Sequence, residues 1–256
     1  MELSPADLAW SAHGPQSRLF KDIYFSADDG RAETDYVFLQ ANRIGERLKK
    51  TDHFTIGETG FGTGLNLLSV LALWQTLPAP RPHLHFVTTE LYPLTLQDLE
   101  KAHAAWPDLA ELASALRDIY PPAVAGGHRR FLFDGTVCID FLWGDAGQSL
   151  AAYKPLGGAN IDCWFLDGFS PALNPKMWTH ELYVAIADLS HSDTSLSTFT
   201  VAGAVRRGLI DVGFGVEKIT GFGRKREMLT ARFEKKITAP SPKKGRKVAV
   251  IGGGIA

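Results

Sequence analysis

From about residue 41 the apolar positions fall into a repeated order: a short continuous run, a turn, then a longer stretch at helical spacing. Residues 53–57 (HFTIG) read as a strand, followed by a glycine-rich turn and an apolar helix over 65–77. A second strand is expected at 83–89, and residues 95–119 carry a helical pattern that Pro107 divides into two helices. Residues 137–143 (VCIDFLW) and 161–166 (IDCWFL) are near-continuous apolar runs, the pattern of parallel strands buried on both faces. A helix at 182–189, a strand at 195–200, a helix at 202–212 and a closing pair of strands at 216–220 and 227–232 complete the series. Before residue 41, the turn signals His13-Gly14-Pro15 and Asp28-Asp29-Gly30 separate aromatic-rich runs at 22–25 and 36–39, which read as hairpin-like strands. This order predicts an α/β fold over 1–238: a doubly wound, mostly parallel, Rossmann-like sheet with an antiparallel closing strand and an N-terminal hairpin-like extension. Residues 239–246 read as a linker, and 247–256 as the start of something new.

Composition narrows the picture without pointing to a function. Hydrophobic residues make up 45% and charged residues 21%, values that separate the chain from disordered and fibrous classes. Apolar runs such as 65–74 are too short to span a membrane. The opening MELSPADLAW lacks the basic head and apolar stretch of a signal peptide, so a cytoplasmic address is expected, with no membrane partner. Cys138 and Cys163 lie in apolar runs without metal-ligand spacing and read as reduced core residues, with no metal expected. A net charge of −1 gives no global attraction to nucleic acid, so any such contact must come from a local patch.

The sharpest local signal is Glu58-Thr59-Gly60-Phe61-Gly62-Thr63-Gly64-Leu65-Asn66, directly after a strand and opening a helix. Glycines there let the backbone approach a ligand closely, and the helix start offers free N–H groups. A P-loop would need Lys and Ser or Thr at its end, and Leu65-Asn66 excludes one; a dinucleotide fingerprint would need glycine at position 65. The E-x-G-x-G-x-G form instead resembles the first motif of Rossmann-like methyltransferases. Glu90 ends the second strand, where a carboxylate can accept both hydroxyls of a ribose. Asp145 follows the strand at 137–143 and Asp167 the strand at 161–166, so four strand ends offer a carboxylate on one edge of the sheet. Each alone could cap a helix, Asp145 above all.

Asp167-Gly168-Phe169-Ser170-Pro171 sits where methyltransferases acting on amines carry an Asp or Asn with prolines and an aromatic. Methyl transfer is an in-line displacement, so most of the catalytic work is alignment. Asp167 is expected to attract and orient the amine rather than abstract its proton, because a carboxylate near its ordinary pKa is a weak base unless desolvated. Phe169 is a candidate π face, whereas Trp178 reads as core packing.

GETGFGTGLN (57–66), FLDGFSPALNPKMW (165–178), STFTVAGAVRRGL (197–209) and GFGRKREML (221–229), with DIYFSADDGRAETDYVFL (22–39), resemble the methyltransferase half of the bifunctional tRNA 5-methylaminomethyl-2-thiouridine biosynthesis proteins. The resemblance implies methylation by S-adenosylmethionine of the amine of 5-aminomethyl-2-thiouridine at the tRNA wobble position. By motif matching, Glu58, Gly60, Phe61, Gly62, Gly64, Asn66 and Glu90 would line the cofactor site, with Asp145 beside it and Asp167 facing the amine. Phe169 and Pro171 would meet the substrate base, and Arg206, Arg207, Arg224, Lys225 and Arg226 the phosphates around the anticodon loop. Two departures stand out: Lys176 replaces an Asp usual in the family, and LSHSDT (189–194) replaces a Pro-Gly-Gly turn, which is expected to loosen entry into the next strand. KVAVIGGGIA (247–256) resembles the opening of the family's second, FAD-dependent oxidase domain, expected in cis in the longer protein; these ten residues alone could not bind FAD. Two other functions remain open on the residues: methylation of an amine on a small molecule or protein, and a non-catalytic RNA-binding module.

Overall fold

The two near-continuous apolar runs become central strands because they have a core to fill on each side. In the computed structural model, which describes residues 1–11, 14–25, 30–153, 161–223 and 225–234, the chain begins with a hairpin of β1 (Leu8–Ser11) and β2 (Gly14–Ser17). There follow α1 (Gly30–Thr34), a π-helical turn Asp35–Gln40, α2 (Ile44–Leu48), β3 (His53–Thr59), α3 (Leu65–Gln75) and β4 (His83–Glu90). Next come α4 (Leu96–His103), a 3₁₀ turn Pro107–Leu109, α5 (Ala110–Ile119), β5 (Gly126–Leu132) and β6 (Val137–Trp143). The remainder is α6 (Ala146–Ala152), β7 (Ile161–Leu166), α7 (His180–Asp188), β8 (Ser190–Thr198), α8 (Gly203–Val212), β9 (Phe214–Thr220) and β10 (Glu227–Phe233).

Strands β5-β6-β4-β3-β7-β8-β10-β9 form one eight-stranded sheet. The β6-β4-β3-β7-β8 block is parallel, while β5 pairs antiparallel with β6 and β10 antiparallel with both β8 and β9. The period-2 alternation of a strand divides β7 between two cores: Cys163 and Phe165 join α2, α3 and α5, whereas Trp164 and Leu166 join α6, α7 and α8. The sheet is thus doubly wound. From β3 the chain builds outward through β4 and β6, then returns to lay β7 on the other side of β3. That reversal opens a crevice at the carboxyl ends of β3, β4 and β7, where open α/β sheets bind ligands.

One glycine marks how tightly these layers meet. A Cβ on Gly57 in β3 would come within 2.4 Å of the Trp164 ring, whose indole N–H donates to Ser190 Oγ at 3.0 Å. Gly57→Ala is therefore expected to cost about 1–3 kcal/mol, the range for overpacking a core. A urea midpoint equal to the wild type's would show that Trp164 yields freely.

Several expectations need correcting. Residues 36–39 are helical, not extended: Val37, Phe38 and Leu39 are buried in succession on the π-helical turn against the core. Residues 22–25 form no strand beyond the single bridge of Ile23 to Gln16, and the true hairpin lies earlier, at β1 and β2. Strand β5 was not expected; its Arg129 and Arg130 hide any apolar pattern. The LSHSDT segment is tied rather than loose: Thr194 Oγ1 donates to the Ile161 carbonyl at 2.6 Å and accepts from His191 N at 2.8 Å. The expected linker 239–246 and strand 247–256 lie outside the described residues.

Candidate active site

The turn after β3 is shaped by glycines that no other residue would replace. Gly60 and Gly64 adopt φ of 79° and 75°, in the left-handed region. A Cβ on Gly60 would meet the Asp167 carbonyl oxygen at 3.1 Å, and one on Gly64 would meet the Phe61 ring at 2.6 Å. The N–H groups of Gly60 and Phe61 both donate to the Thr89 carbonyl at 3.0 Å, fixing the turn to the end of β4. Phe61 borders the cavity, and its buried ring packs among Tyr120, Phe141 and Trp143.

Behind this turn one amide holds two carboxyls. Asn66, in the first turn of α3, donates through Nδ2 to Glu58 Oε1 at 2.9 Å and to Asp167 Oδ2 at 2.8 Å. Its Oδ1 accepts from Thr34 Oγ1 at 3.0 Å, and Glu58 Oε2 accepts from Thr88 Oγ1 at 2.6 Å. Glu58 has no exposed surface and stays beneath the cavity, not on its wall as expected; it supports Asn66. Burial pushes its carboxyl well above the usual range. Asp167 does face the cavity, with Oδ1 accepting from Gly168 N at 2.8 Å. Burial pushes its carboxyl up to about 6, against the opposing pull of the Gly168 and Asn66 hydrogen bonds.

Glu90 also lines the cavity, Oε2 accepting from Gly62 N at 3.0 Å and Oε1 from Tyr92 N at 2.9 Å. Burial raises its pKa. Asp145 borders the cavity but caps α6, its Oδ1 accepting from Gln148 N at 3.0 Å, as the capping alternative foresaw.

The outer wall comes from the N-terminal segment. Phe169 packs against Phe20 and Tyr24 at ring separations of 4.9 and 5.0 Å, all three lining the cavity. Trp178 donates its indole N–H to the Phe169 carbonyl at 2.9 Å and packs against the second core. Pro171 is not on the cavity wall; its neighbour Ser170 donates its N–H to Asp22 Oδ2 at 2.9 Å, fastening the turn to the N-terminal segment. At the mouth, Lys225 pairs with Glu33. Arg206 and Arg207, on α8, and Arg226 are exposed and away from the cavity wall, and Arg224 lies outside the described residues. Sequence reasoning missed Tyr24, Glu33, Thr34 and Thr89; the first three fall in 22–39, where a family pattern was visible but the helix carrying Glu33 and Thr34 was not.

Away from the cavity, His85, Cys138 and Asp140 bring ligand-type atoms within 4.8 Å of one another. Arg129 takes both Asp140 oxygens at 2.7 Å and Tyr153 donates to it at 2.6 Å, so this carboxylate is satisfied without a metal.

A family model described as S-adenosyl-L-methionine-dependent methyltransferase matches residues 107–234. The chain is 45% identical over 271 residues to the tRNA 5-methylaminomethyl-2-thiouridine biosynthesis bifunctional protein MnmC of Vibrio vulnificus, covering 99% of this chain and 40% of that protein. It is 46% identical over 261 residues to the protein of the same name from Marinobacter nauticus, covering 99% and 41%. The chain thus spans about 40% of the length of the curated relatives it matches. The crystal structure of MNMC2 from Aquifex aeolicus superposes with a TM-score of 0.70 at 23% identity, covering 93% of this chain and 73% of that one, a likeness of fold.

Proposed function

Because this chain belongs to the S-adenosyl-L-methionine-dependent methyltransferase family, we propose that it methylates the primary amine of 5-aminomethyl-2-thiouridine at the wobble position of tRNA. The observation that carries the reading is the Asp167 carboxyl on the cavity wall beside the glycine turn, held by Gly168 N and Asn66 Nδ2 and pushed up by burial to about 6. The cavity suits the cofactor. Gly60 and Gly62 border it without side chains, whereas Gly64, also expected there, is off the cavity wall and turns the chain against the Phe61 ring; the buried Thr89 hydroxyl on the wall has no hydrogen-bond partner. In this proposal Glu90 accepts the ribose hydroxyls, Asn66 and Glu58 hold Asp167 from behind, and Asp145 stands near the adenine. Bound there, S-adenosylmethionine supplies its methyl group on a cationic sulfur.

Asp167 has a double task. Above pH 6 its negative charge attracts the substrate as an ammonium. Its raised pKa also lets it take the proton whose loss exposes the nitrogen lone pair. Phe169, with Phe20 and Tyr24, offers the aromatic surface against which a base turned out of its stack can rest. Lys225 at the mouth, with Arg206, Arg207 and Arg226 farther out, serves the phosphates of the anticodon loop, and Arg224 is assigned the same task from the sequence alone. The curated relatives' names include the word bifunctional; an FAD-dependent oxidase half in cis is part of the same proposal. No helix among the described residues is long and apolar enough to cross a membrane, and a tRNA substrate suits a cytoplasmic address.

The direct test is methyl transfer from labelled S-adenosylmethionine to tRNA lacking only the final methyl group, followed by nucleoside analysis. Label in 5-methylaminomethyl-2-thiouridine is expected; label elsewhere or none refutes the reading. A second measurement isolates the cofactor site. Glu90→Ala should weaken S-adenosylmethionine binding by about 1.5–3 kcal/mol, the worth of hydrogen bonds to a charged group. Unchanged calorimetric affinity in a folded variant would remove Glu90 from the site.

A further inference from the structure

Glu33 and Lys225 come from opposite ends of the chain and meet at the cavity mouth. Glu33 sits on α1, Lys225 in the connection between β9 and β10, and Nζ lies 2.6 Å from Glu33 Oε1. The same ammonium is 4.4 Å from the centroid of the Phe199 ring. All three residues line the cavity with Asp167. A carboxylate on one side and an aromatic face on the other is the chemistry that receives an alkylammonium. In the free protein that ammonium is the protein's own.

The pair is also poised to exchange. The Glu33 and Lys225 side chains are 27% and 47% exposed, and an ion pair so open to water is weakly held. Asp167, by contrast, has both oxygens engaged by Gly168 and Asn66. Its charge can draw a cation inward, but the mouth must first admit one.

We propose that Glu33 and Phe199 form a cation subsite that takes the substrate's primary ammonium when Lys225 leaves it for an RNA phosphate. This rests on the amine-on-RNA reading above. One ion pair breaks, between Lys225 and Glu33, and two form: Lys225 with phosphate and the substrate ammonium with Glu33. Engagement of the RNA backbone thereby opens the place for the amine. Free alkylamines, bringing no phosphate, must compete with Lys225, so the exchange selects amines carried on a polynucleotide.

The test uses the whole chain, saturated with S-adenosylhomocysteine, and two free nucleosides measured by calorimetry: 5-aminomethyl-2-thiouridine, which is cationic, and 5-methyl-2-thiouridine, which is not. Lys225→Met should tighten the cationic nucleoside by about tenfold and leave the neutral one unchanged. Glu33→Gln should erase the preference for the cation, a loss of about 10–100-fold by the strength of charge-assisted hydrogen bonds. Glu33→Asp should keep part of it, which a purely structural role would not require. A Lys225→Met variant that weakens both nucleosides alike, a Glu33→Gln variant that keeps the preference, or no detectable cation binding by any variant would overturn the proposal. Loss of methyl transfer to tRNA in the wild type would refute the proposed reaction instead, and these binding preferences are read without it.

Discussion

Asp167→Asn is expected to lower kcat by about 10²–10⁴-fold, the span of positioned acid–base groups, while tRNA affinity stays nearly unchanged because phosphate contacts dominate it. The variant keeps an acceptor oxygen but loses both the charge that draws the ammonium and the capacity to take a proton. In the wild type, kcat/KM should rise with pH through about 6 as Asp167 ionises, a limb the variant should lack. Higher pH should partly restore the variant, since more substrate amine is then neutral without help.

The same substitution removes a charge that burial makes costly in the ligand-free protein. The folded-state pKa of about 6 lies above the ordinary carboxyl value of 3.8, so between those values the folded chain binds more protons than the unfolded one. Stability therefore falls as pH rises through that window, by on the order of 1–3 kcal/mol. Asn carries no such penalty at pH 7, although its amide NH2 must face one of the two donors, Gly168 N or Asn66 Nδ2, from which the carboxylate accepts, at about 1–3 kcal/mol. An inactive variant with an unchanged or raised Tm fits a charge held for function; a Tm lowered by more than one lost hydrogen bond would point to a structural role.

Asn66→Ala should be the most damaging single change to the site. Asn66 spends both amide hydrogens on carboxyls, one at Glu58 and one at Asp167, and alanine leaves one oxygen of each without a donor in a buried setting. The cost is expected at about 2–4 kcal/mol, from two groups at 1–3 kcal/mol apiece with partial relaxation. Without that hydrogen bond the Asp167 carboxyl should titrate still higher, so the acid limb of the pH–rate profile should move upward from about 6. A folded Asn66→Ala protein with the wild-type profile would show that Gly168 alone sets the Asp167 environment. Asn66→Asp should be worse, setting a third carboxyl against two.

What could be read in the sequence follows the physics of each element. Residues 137–143 and 161–166 announced themselves because a strand buried on both faces has almost no polar position. The glycine turn was legible because close approach and left-handed φ leave few alternatives to glycine. Strand β5 was not, because Arg129 answers Asp140 across the strand pair, a partnership no local pattern encodes. Residues 36–39 misled because aromatic and β-branched side chains favour strands until tertiary burial decides otherwise. Glu90 and Asp167 could be picked out at strand ends. The role of Asn66 could not: the carboxyl it steadies is 101 residues away.

The last strand of the sheet is not at its edge. β10 lies between β8 and β9, so it fills a gap that stays open until residues 227–233 have been synthesised. On the ribosome the emerging chain can assemble β3, β4, β6, β7 and β8 early, but one edge of β8 stays unpaired, and β9 has no partner in the sheet, until β10 arrives. Such late, non-local pairing slows folding and leaves strand edges open to wrong partners in the interval. The insertion also makes completion of this sheet a single late event, reached once Phe233 has cleared the exit tunnel.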